Sequence, residues 1–448
     1  MEEKRVVRSR YSYLFRTTNG VYLAYVSKGN SFLECDEELY DFLVKFHPGE
    51  EIEDVCKKLP ADVLNVLVST GVLCDKFDDD DYLNKLRFIN QASQHDMSSL
   101  GIIIVPTLDC NFSCPYCFEK NKRPIYMSKE VREKLVRFII DKSQKRPITL
   151  YWYGGEPLLA KDCIEDILNN MIGNVEIKEH ALITNGFFLT QTATRLFEDS
   201  FPLNEIQVTL DGCKERHNKL RALKNNNNIS TYDIIMNNIE EFATSHPSCS
   251  IYVRVNIDKS NYIDYERIKA ECSKFNQWDN IHVYPGMIRL ENEEQTRSIE
   301  PAYGRWEIAE LLYKELIESN KPERLFPKIR YTKNCAANRV NSYIIGPEGE
   351  IYKCWNDVSN PQMVVGNIDV DEITNPTIYY RYHSSCSCFN DPACLNCFYL
   401  PICNGKCSWY QMKNKYNKGE FNLCQCLLKA PGMIDKILEK YYDYAAKR

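Results

Sequence analysis

The middle of the chain, residues 100 to about 320, alternates short apolar stretches with longer ones in which apolar residues recur every three or four positions. The short stretches are typical of buried strands, and the longer ones, such as 128–143 and 230–244, are typical of amphipathic helices. Repeated strand–helix units predict a parallel sheet with right-handed crossovers. We therefore expect an α/β fold, a partial (β/α)6 TIM barrel. Its predicted strands are residues 100–105, 148–153, 180–184, 205–210, 250–257 and 280–285.

The first 80 or so residues have a different pattern. Two strand-like stretches, "YSYLFRTT" and "VYLAYVS", flank Asn19-Gly20, a pair that adopts the positive φ of a tight hairpin turn. Three stretches with helical spacing follow, and Gly71 is placed to end the last of them. We interpret the acidic run Asp78 to Asp81 as a solvated linker that closes a winged-helix-like unit.

From residue 330 onward, the pattern changes to short strands and cysteine-rich loops. The stretch "SYIIGPEGEIYKCW" predicts a hairpin, and "MIDKILEKYYDYAAK" predicts a final helix. The core of this part looks thin, so we expect bound metal to hold it together. The patterns together predict domains at residues 1–85, 95–325 and 330–430, followed by a terminal helix at 431–448.

Composition narrows the class of protein. The 448 residues, 44% of them apolar, suffice for several cores, and no apolar run approaches the roughly 18 residues of a membrane span. A net charge of −6, spread along the chain, argues against a surface for nucleic acid. We expect a cytoplasmic protein, whose reduced thiols bind metal or do chemistry more often than they form disulfides. Twenty cysteines, half of them from Cys335 onward, therefore point to metal sites.

Polar motifs recur where the predicted strands end. The first strand is followed by three cysteines, and the next three strands end in "YGGEP", "TNG" and "TLDG". On the fifth strand, Arg254 and Asn256 are two residues apart and lie on one side of the sheet. Active sites of parallel barrels form at the carboxyl ends of the strands, so we expect these motifs to meet in one site.

The three cysteines of the first loop, Cys110, Cys114 and Cys117, have the spacing C-x3-C-x2-C. A structural zinc site requires four ligands, and no further cysteine or histidine lies close to these three in sequence. Disulfide pairing leaves one of the three thiols over. An iron–sulfur cluster with one iron free of protein ligands is favoured over both. In "GGE", two glycines let the backbone approach a ligand closely, and Glu156 can pair with an ammonium group.

The motif "CNFSCPYC", with an aromatic residue before its last cysteine, followed by "GGEP", resembles the radical S-adenosylmethionine enzymes. The resemblance covers residues 100 to about 290 and implies that the open iron chelates the amino and carboxylate groups of S-adenosylmethionine. One electron from the cluster then cleaves the sulfonium, and the resulting 5′-deoxyadenosyl radical abstracts a substrate hydrogen. The cofactor contacts that the resemblance implies are Gly154, Gly155 and Glu156 at the ammonium, Arg254 and Asn256 at the carboxylate and ribose, Thr184, Asn185 and Thr209 near the nucleoside, and Tyr116.

The cysteine-rich tail resembles a SPASM domain, the extension found in peptide-modifying radical enzymes. A zinc ribbon is the alternative. The spacing that carries the resemblance is Cys335-x13-Gly349-x4-Cys354, then Cys394-x2-Cys397-x5-Cys403-x3-Cys407, and Cys424 after sixteen more residues.

The SPASM resemblance implies two auxiliary [4Fe–4S] clusters, which makes three clusters in all. The nearer one has three thiolates in this register, and an open iron that binds a substrate cysteine is favoured over a fourth ligand from Cys386, Cys388 or Cys426. The implied ligands are Cys394, Cys397, Cys403 and Cys424 for the distal cluster and Cys335, Cys354 and Cys407 for the nearer one.

The N-terminal hairpin and helices resemble, in shape rather than through a sharp motif, the RiPP recognition element. That unit binds the leader of a ribosomally made precursor peptide, which implies that the leader adds a strand to the hairpin's edge. Tethering the leader raises the effective concentration of the core peptide at the radical site. A structural cap on the barrel is the alternative interpretation.

Together, the resemblances predict a sactisynthase-like peptide maturase that forms a thioether between a cysteine sulfur and a carbon. A carbon–carbon crosslink would use the same architecture. A formylglycine-forming sulfatase maturase is disfavoured, because Trp355 rather than an aspartate follows Cys354. A non-catalytic iron–sulfur or zinc peptide-binding protein has no need of "GGEP" beside the cysteine triad. The implied partners are a precursor peptide and an electron donor, which is a reductase, a flavodoxin or a ferredoxin.

Overall fold

The computed structural model describes residues 5–117, 123–197, 200–226, 228–273, 279–287, 303–318, 322–370, 372–421, 424 and 427–446. The chain forms two compact units. The cysteine-rich unit comprises Met1–His95, Gly304–Asn338 and Tyr382–Arg448, and the barrel unit comprises Asp96–Tyr303 and Arg339–Arg381. In the described residues, we find no helix with the length and apolar character needed to cross a membrane.

The first 95 residues form small sheets and helices within the cysteine-rich unit. The strands are β1 (Val6–Arg8), β2 (Ser12–Arg16), β3 (Tyr22–Val26), β4 (Ser31–Cys35) and β5 (Leu73–Asp75), and the helices are α1 (Glu37–Val44), α2 (Val55–Lys58), α3 (Ala61–Thr70) and α4 (Asp78–Gln94). β2, β3 and β4 form an antiparallel sheet in that order, and β1 pairs with β5. The predicted hairpin is confirmed, with Gly20 at a φ of 86° in its turn, and Gly71 ends α3 as predicted.

The acidic run is not the solvated linker that we expected. Asp78 to Asp81 form the first turn of α4, where carboxylates interact favourably with the helix dipole. Asp79 is buried, accepts a hydrogen bond from the Ser9 hydroxyl at 2.9 Å and forms an ion pair with Lys28 at 2.9 Å. The run is therefore part of the fold, because one of its four carboxylates points inward.

All six predicted strands of the barrel are present and pair in parallel. They are β6 (Leu100–Ile104), β7 (Ile148–Trp152), β8 (Ile177–Thr184), β9 (Glu205–Leu210), β10 (Ser250–Ile257) and β11 (Ile281–Met287). The helices that follow them are α5 (Lys129–Ser143), α6 (Lys161–Met171), α7 (Gln191–Thr194), α8 (Lys214–Leu220), α9 (Thr231–Ser245) and α10 (Tyr262–Ser273). Ser128 and Ser230 cap α5 and α9, which explains why both predicted helices begin there.

The barrel strands alternate between two environments. On β9, Ile206, Val208 and Leu210 are fully buried, whereas the residues between them are half-buried. Side chains alternate between faces along a strand, so the apolar set packs beneath the helices and the other set faces the interior of the barrel. The α/β partial barrel expected from the sequence is therefore the observed fold.

Part of the tail extends the barrel sheet. The helix α11 (Arg305–Glu318) precedes this part of the chain. The predicted hairpin is present as β12 (Ser342–Ile345) and β13 (Glu350–Tyr352), and it is followed by β14 (Gly366–Asn367) and α12 (Pro376–Tyr380). β12 pairs in parallel with β6, so the strands of the barrel unit form one sheet in the order β11-β10-β9-β8-β7-β6-β12-β13-β14. The compact units therefore divide the tail, which the sequence pattern places in one domain at residues 330–430.

The rest of the tail packs on the N-terminal residues within the cysteine-rich unit. It contains α13 (Pro392–Leu395), α14 (Ser408–Tyr416) and the predicted final helix, α15 (Met433–Ala446). Tyr11, Leu83 and Leu86 form a buried cluster with Phe389 and Leu400. A second cluster joins β2 and β3 to α15. The tail thus obtains an apolar core from the first 95 residues, which its own sequence does not suggest.

Candidate active site

The loop after β6 carries the three thiols at the carboxyl end of its strand. Cys110 is buried, whereas Cys114 and Cys117 are half-buried. The amide of Ser113 donates to the carbonyl of Ala222 at 3.1 Å, and the carbonyl of Asn111 accepts from the amide of Lys224 at 2.9 Å. The segment after α8 therefore holds the backbone of this cysteine loop in place.

The "GGE" segment packs directly against the cysteine loop. The amide of Glu156 donates to the carbonyl of Asp109 at 2.8 Å. Gly154 has a φ of 128°, and a Cβ atom on Gly155 would collide with the carbonyl oxygen of Asp109. We expected the two glycines to let a ligand approach the backbone closely. In the structure they let the cysteine loop approach it.

Glu156 connects the ends of two strands. Its carboxylate is fully buried and accepts hydrogen bonds from the Thr184 hydroxyl at 2.7 Å, the Asn185 amide at 2.7 Å and the Leu158 amide at 3.1 Å. Burial raises the pKa of Glu156, although these donors oppose the shift. Glu156 therefore positions the end of β8 beside "GGE". Its contact with the ammonium group of S-adenosylmethionine stays a prediction.

Asn185 lies beside the cysteine loop. Its amide nitrogen donates to the side-chain oxygen of Asn111 at 2.7 Å and lies 3.9 Å from the sulfur of Cys110. Asn185 is also buried, with its side-chain oxygen bound by the amide of Phe187 at 2.9 Å. The "TNG" motif is therefore brought to the thiols, as the strand order predicts.

Asp211, at the end of β9, is a site residue that we did not predict. It is buried and accepts hydrogen bonds from the Tyr116 hydroxyl and, at 2.7 Å, from the Asn256 side chain. Burial raises the pKa of Asp211. Its position in "TLDG" was a usable signal, because the residue directly after a parallel strand faces the site. Tyr116 and Asn256, both predicted, meet at this carboxylate.

Arg254 and Asn256 present polar atoms to the interior of the barrel. In the described part of the chain, Nε of Arg254 and Oδ1 of Asn256 are buried without a hydrogen-bond partner. Thr209 pairs in register with Arg254 on the neighbouring strand. A Cβ atom on Gly286 would lie 2.9 Å from Oδ1 of Asn256, so this glycine makes room for the side chains of Arg254 and Asn256. We did not predict Gly286 from the sequence. Buried polar atoms of this kind suit the carboxylate and ribose of S-adenosylmethionine.

Arg221 is the second site residue that the sequence did not reveal. It follows α8, is only 8% exposed, and its guanidinium lies 5.5 Å from the centre of the Phe112 ring. Burial alone would lower the pKa of Arg221, but negative charge on the cysteine triad and on Asp211 outweighs burial and raises it. The three sulfurs of the cysteine loop therefore share this guanidinium as a neighbour.

The cysteine loop carries three thiols and no histidine, which is the donor set of an iron–sulfur cluster. A cubane cluster spreads its ligands over separate corners and needs three thiolates that converge from one loop. Cys110, Cys114 and Cys117 supply that donor set, with a cation beside it.

The tail cysteines lie in both units. Within the cysteine-rich unit, Cys394 and Cys397 pack against the same apolar cluster as Cys388, and the amide of Gly405 donates to the sulfur of Cys403 at 3.3 Å. Burial raises the pKa of Cys388 to about 12. The positions of the remaining tail cysteines are as follows: Cys335, Cys386, Cys407 and Cys424 belong to the cysteine-rich unit, Cys354 to the barrel unit, and Cys426 lies outside the described residues.

The chain matches known proteins in sequence. Residues 104–272 match the family model of the radical SAM superfamily. The radical SAM cyclopropyl synthase TigE of Paramaledivibacter caminithermalis is 22% identical over 91% of this chain and 90% of its own length. The sequence similarity to TigE therefore extends beyond the barrel on both sides.

Solved structures share the fold. The structure of anSMEcpe with bound AdoMet and Cp18Cys peptide aligns with a TM-score of 0.56 at 16% identity, over 76% of this chain and 99% of that one. Streptococcus suis SuiB bound to precursor peptide SuiA aligns with a TM-score of 0.52 at 15% identity, over 92% of this chain and 97% of that one. At these identities the likeness concerns the fold alone. With the family match, the shared fold and the C-x3-C-x2-C loop at the end of the first barrel strand, this chain is a radical SAM enzyme, which uses a [4Fe–4S] cluster and S-adenosylmethionine.

Proposed function

We propose that this enzyme modifies a ribosomally synthesised precursor peptide. The observation that carries the proposal is the extent of the fold that it shares with SuiB, which was solved with a precursor peptide and aligns over 92% of this chain. That coverage includes regions outside the barrel. We infer that these regions outside the barrel engage the peptide.

The leader of the precursor is proposed to bind at β4. This strand lies at one edge of the sheet β2-β3-β4, and in the described residues only β3 pairs with it. A leader in extended conformation adds a strand through main-chain hydrogen bonds, and side-chain pockets set its register. Leu33 and Cys35 of β4 pack partly into the apolar core beneath the sheet, so the edge is held rigidly.

In the barrel, the chain's own residues bind the cofactors and exclude water. Bound S-adenosylmethionine and the cluster supply the 5′-deoxyadenosyl radical. The cysteine triad holds the cluster, and the buried polar atoms of Arg254 and Asn256 bind the carboxylate and ribose. Glu156 keeps "GGE" and the end of β8 in register with the cysteine loop.

Two auxiliary [4Fe–4S] clusters in the tail belong to this proposal, with the ligands that the cysteine spacing implies. Support within the cysteine-rich unit comes from Cys394 and Cys397, which pack against the same apolar cluster, and from the amide of Gly405, which donates to the sulfur of Cys403. These clusters would bind a thiol of the peptide or carry electrons away from the product.

For the product, a thioether between a cysteine sulfur and a carbon is the first candidate, since an auxiliary cluster with an open iron would bind and activate a thiol. A carbon–carbon bond is the second candidate. The specific observation in its favour is the similarity to TigE, a cyclopropyl synthase, over nearly the whole of both chains. Formylglycine formation is disfavoured by two departures from the sulfatase maturases, since Trp355 follows Cys354 and the chain has the additional N-terminal unit.

The test is co-expression of the enzyme with each short peptide encoded next to its gene, followed by mass spectrometry. A thioether or a carbon–carbon bond removes two hydrogen atoms from the peptide, and alkylation with iodoacetamide then separates them, because only the thioether removes an alkylatable thiol. Formylglycine replaces the thiol with an aldehyde. The matched control is Cys110→Ala/Cys114→Ala/Cys117→Ala, which leaves the peptide unmodified. Production of 5′-deoxyadenosine without any peptide change would contradict the proposal.

A further inference from the structure

The chain carries a buried arginine whose position the cofactor contacts do not explain. Nη1 of Arg221 donates to the Tyr116 hydroxyl at 3.3 Å and lies 3.7 Å from a carboxylate oxygen of Asp211. Its guanidinium stacks near Phe112. Tyr116 and Phe112 are both members of the cysteine loop, so the guanidinium lies directly against the loop.

The backbone around Arg221 fixes this position. Its amide donates to the carbonyl of His217 at 2.7 Å, and its carbonyl accepts from the Thr231 hydroxyl at 3.2 Å. The next residue, Ala222, accepts the amide of Ser113 in the cysteine loop. The arginine is therefore anchored from both sides and has little freedom to move away from the thiols.

We propose that Arg221 is a positioning residue that places a permanent positive charge beside the cysteine triad and thereby sets the reduction potential of the cluster bound there. The proposal rests on the radical SAM assignment and not on the peptide substrate. An arginine stays protonated at any physiological pH, and a buried charge is weakly screened. Reduction adds one negative charge to the cluster, so a fixed cation nearby favours the reduced form.

Asp211 offsets only part of this charge. Its carboxylate accepts hydrogen bonds from the Tyr116 hydroxyl and the Asn256 side chain in addition to pairing with Arg221. All three sulfurs of the loop interact electrostatically with the guanidinium. In the described part of the chain, Nε of Arg221 is buried without a hydrogen-bond partner, so part of the guanidinium's hydrogen-bonding capacity remains for the cluster or its thiolates.

The test compares Arg221→Gln, which removes the charge, with Arg221→Lys, which keeps it. Arg216→Gln is the matched control, because Arg216 lies in α8, shortly before Arg221 in the chain, and pairs with Asp258 at 2.6 Å instead. Each protein is reconstituted anaerobically, its iron is counted, and it is titrated with dithionite under EPR. The part of the EPR signal that changes when S-adenosylmethionine is added reports the cluster of the triad.

At the potential that half-reduces the wild-type cluster, we expect the reduced-to-oxidised ratio to fall about tenfold in Arg221→Gln and to change little in Arg221→Lys and Arg216→Gln. Full iron content with an unchanged ratio in Arg221→Gln would overturn the proposal. If Arg221→Gln fails to assemble the cluster, the iron content of Arg221→Lys decides: retention supports a role for the charge, and an equal loss overturns it. No peptide enters the assay, so a failure of the proposed peptide chemistry leaves this result intact.

Discussion

The cysteine loop of the barrel unit and the cysteine-rich tail hold their thiols by different physical means. The loop follows a buried parallel strand and is fixed by backbone hydrogen bonds from "GGE" and from the segment after α8. The cysteines of the tail lie in short turns, and Cys388 is buried in an apolar cluster with Leu83 and Leu86 of α4.

Their electrostatic surroundings differ as well. The loop lies beside the guanidinium of Arg221. In the tail, burial raises the pKa of Cys394 to about 11 and lowers the pKa of Lys333 to about 8, so both groups are driven toward their neutral forms. The barrel loop is held by backbone hydrogen bonds. The cysteine-rich tail is held by an apolar core that the first 95 residues supply, and the proposed auxiliary clusters would form in its short turns.

The largest expected effect is on the barrel loop, from Gly155→Ala. The added Cβ atom collides with the backbone of Asp109, and neither loop can move without breaking its hydrogen bonds. We expect loss of about four iron atoms per chain, one [4Fe–4S] cluster, and loss of 5′-deoxyadenosine formation. Iron analysis and chromatography measure both.

Gly173→Ala is the control for that change. Gly173 has a φ of 76° and nothing within 4 Å of the new Cβ atom, so the substitution adds strain without a collision. We expect full iron content and a free energy of unfolding lower by about 1 kcal/mol. Equal iron loss in both variants would mean that the glycines matter only for chain conformation.

The next effect in size is on the tail, from Leu86→Ala. Leu86 is fully buried, and removing its side chain leaves a cavity that costs about 2 to 5 kcal/mol of the free energy of unfolding. We expect faster hydrogen exchange at residues 388–403, measured by mass spectrometry, with the strands of the barrel unchanged. Leu168→Ala in α6 removes the same atoms from the barrel core. For this variant we expect faster hydrogen exchange in the barrel strands and unchanged exchange at residues 388–403. If both variants loosen both regions equally, the two cores are not separate.

The smallest effect is a pH dependence of the barrel core. His180 is buried, accepts a hydrogen bond from the indole of Trp152 at 2.7 Å, and burial lowers its pKa to about 4. The unfolded state therefore binds the proton more readily, so the stability that neutral His180 gives is present above its ordinary pKa and is lost as the pH falls toward 4. Between about pH 7 and about pH 5.5, we expect the free energy of unfolding to fall by about 1 kcal/mol through this residue.

His180→Gln removes the titration and keeps an acceptor for Trp152. Urea denaturation of both proteins at the two pH values gives a double difference from which the carboxylates common to both proteins cancel. A variant with the same pH dependence as wild type would show that His180 is not the residue that titrates.

The barrel was predictable because its signals are local. Strand periodicity located all six strands within a few residues, and strand order alone placed "GGE" and "TNG" beside the thiols. Arg221 and Gly286 were not predictable, since each matters through a contact with a segment distant in sequence. The buried Asp79 was hidden for a related reason, because a run of four acidic residues does not reveal which one turns inward.

The domain pattern shows the same limit. The hairpin at β12 and β13 was recognised from its turn, but its pairing with β6 depends on residues about 240 positions earlier in the chain. The apolar core of the tail likewise comes from α4 and the N-terminal strands. Long-range pairing has no local signature, so the elements could be predicted and their partners could not.

The most direct test of the account is to count iron and 5′-deoxyadenosine for the anaerobically reconstituted enzyme and for Cys110→Ala/Cys114→Ala/Cys117→Ala. With three [4Fe–4S] clusters, we expect about twelve iron atoms per chain in the wild type and about eight in the variant, and only the wild type should cleave S-adenosylmethionine under dithionite. Cleavage that survives the triple substitution, or iron content that it does not change, would contradict the assignment of the radical chemistry to this loop.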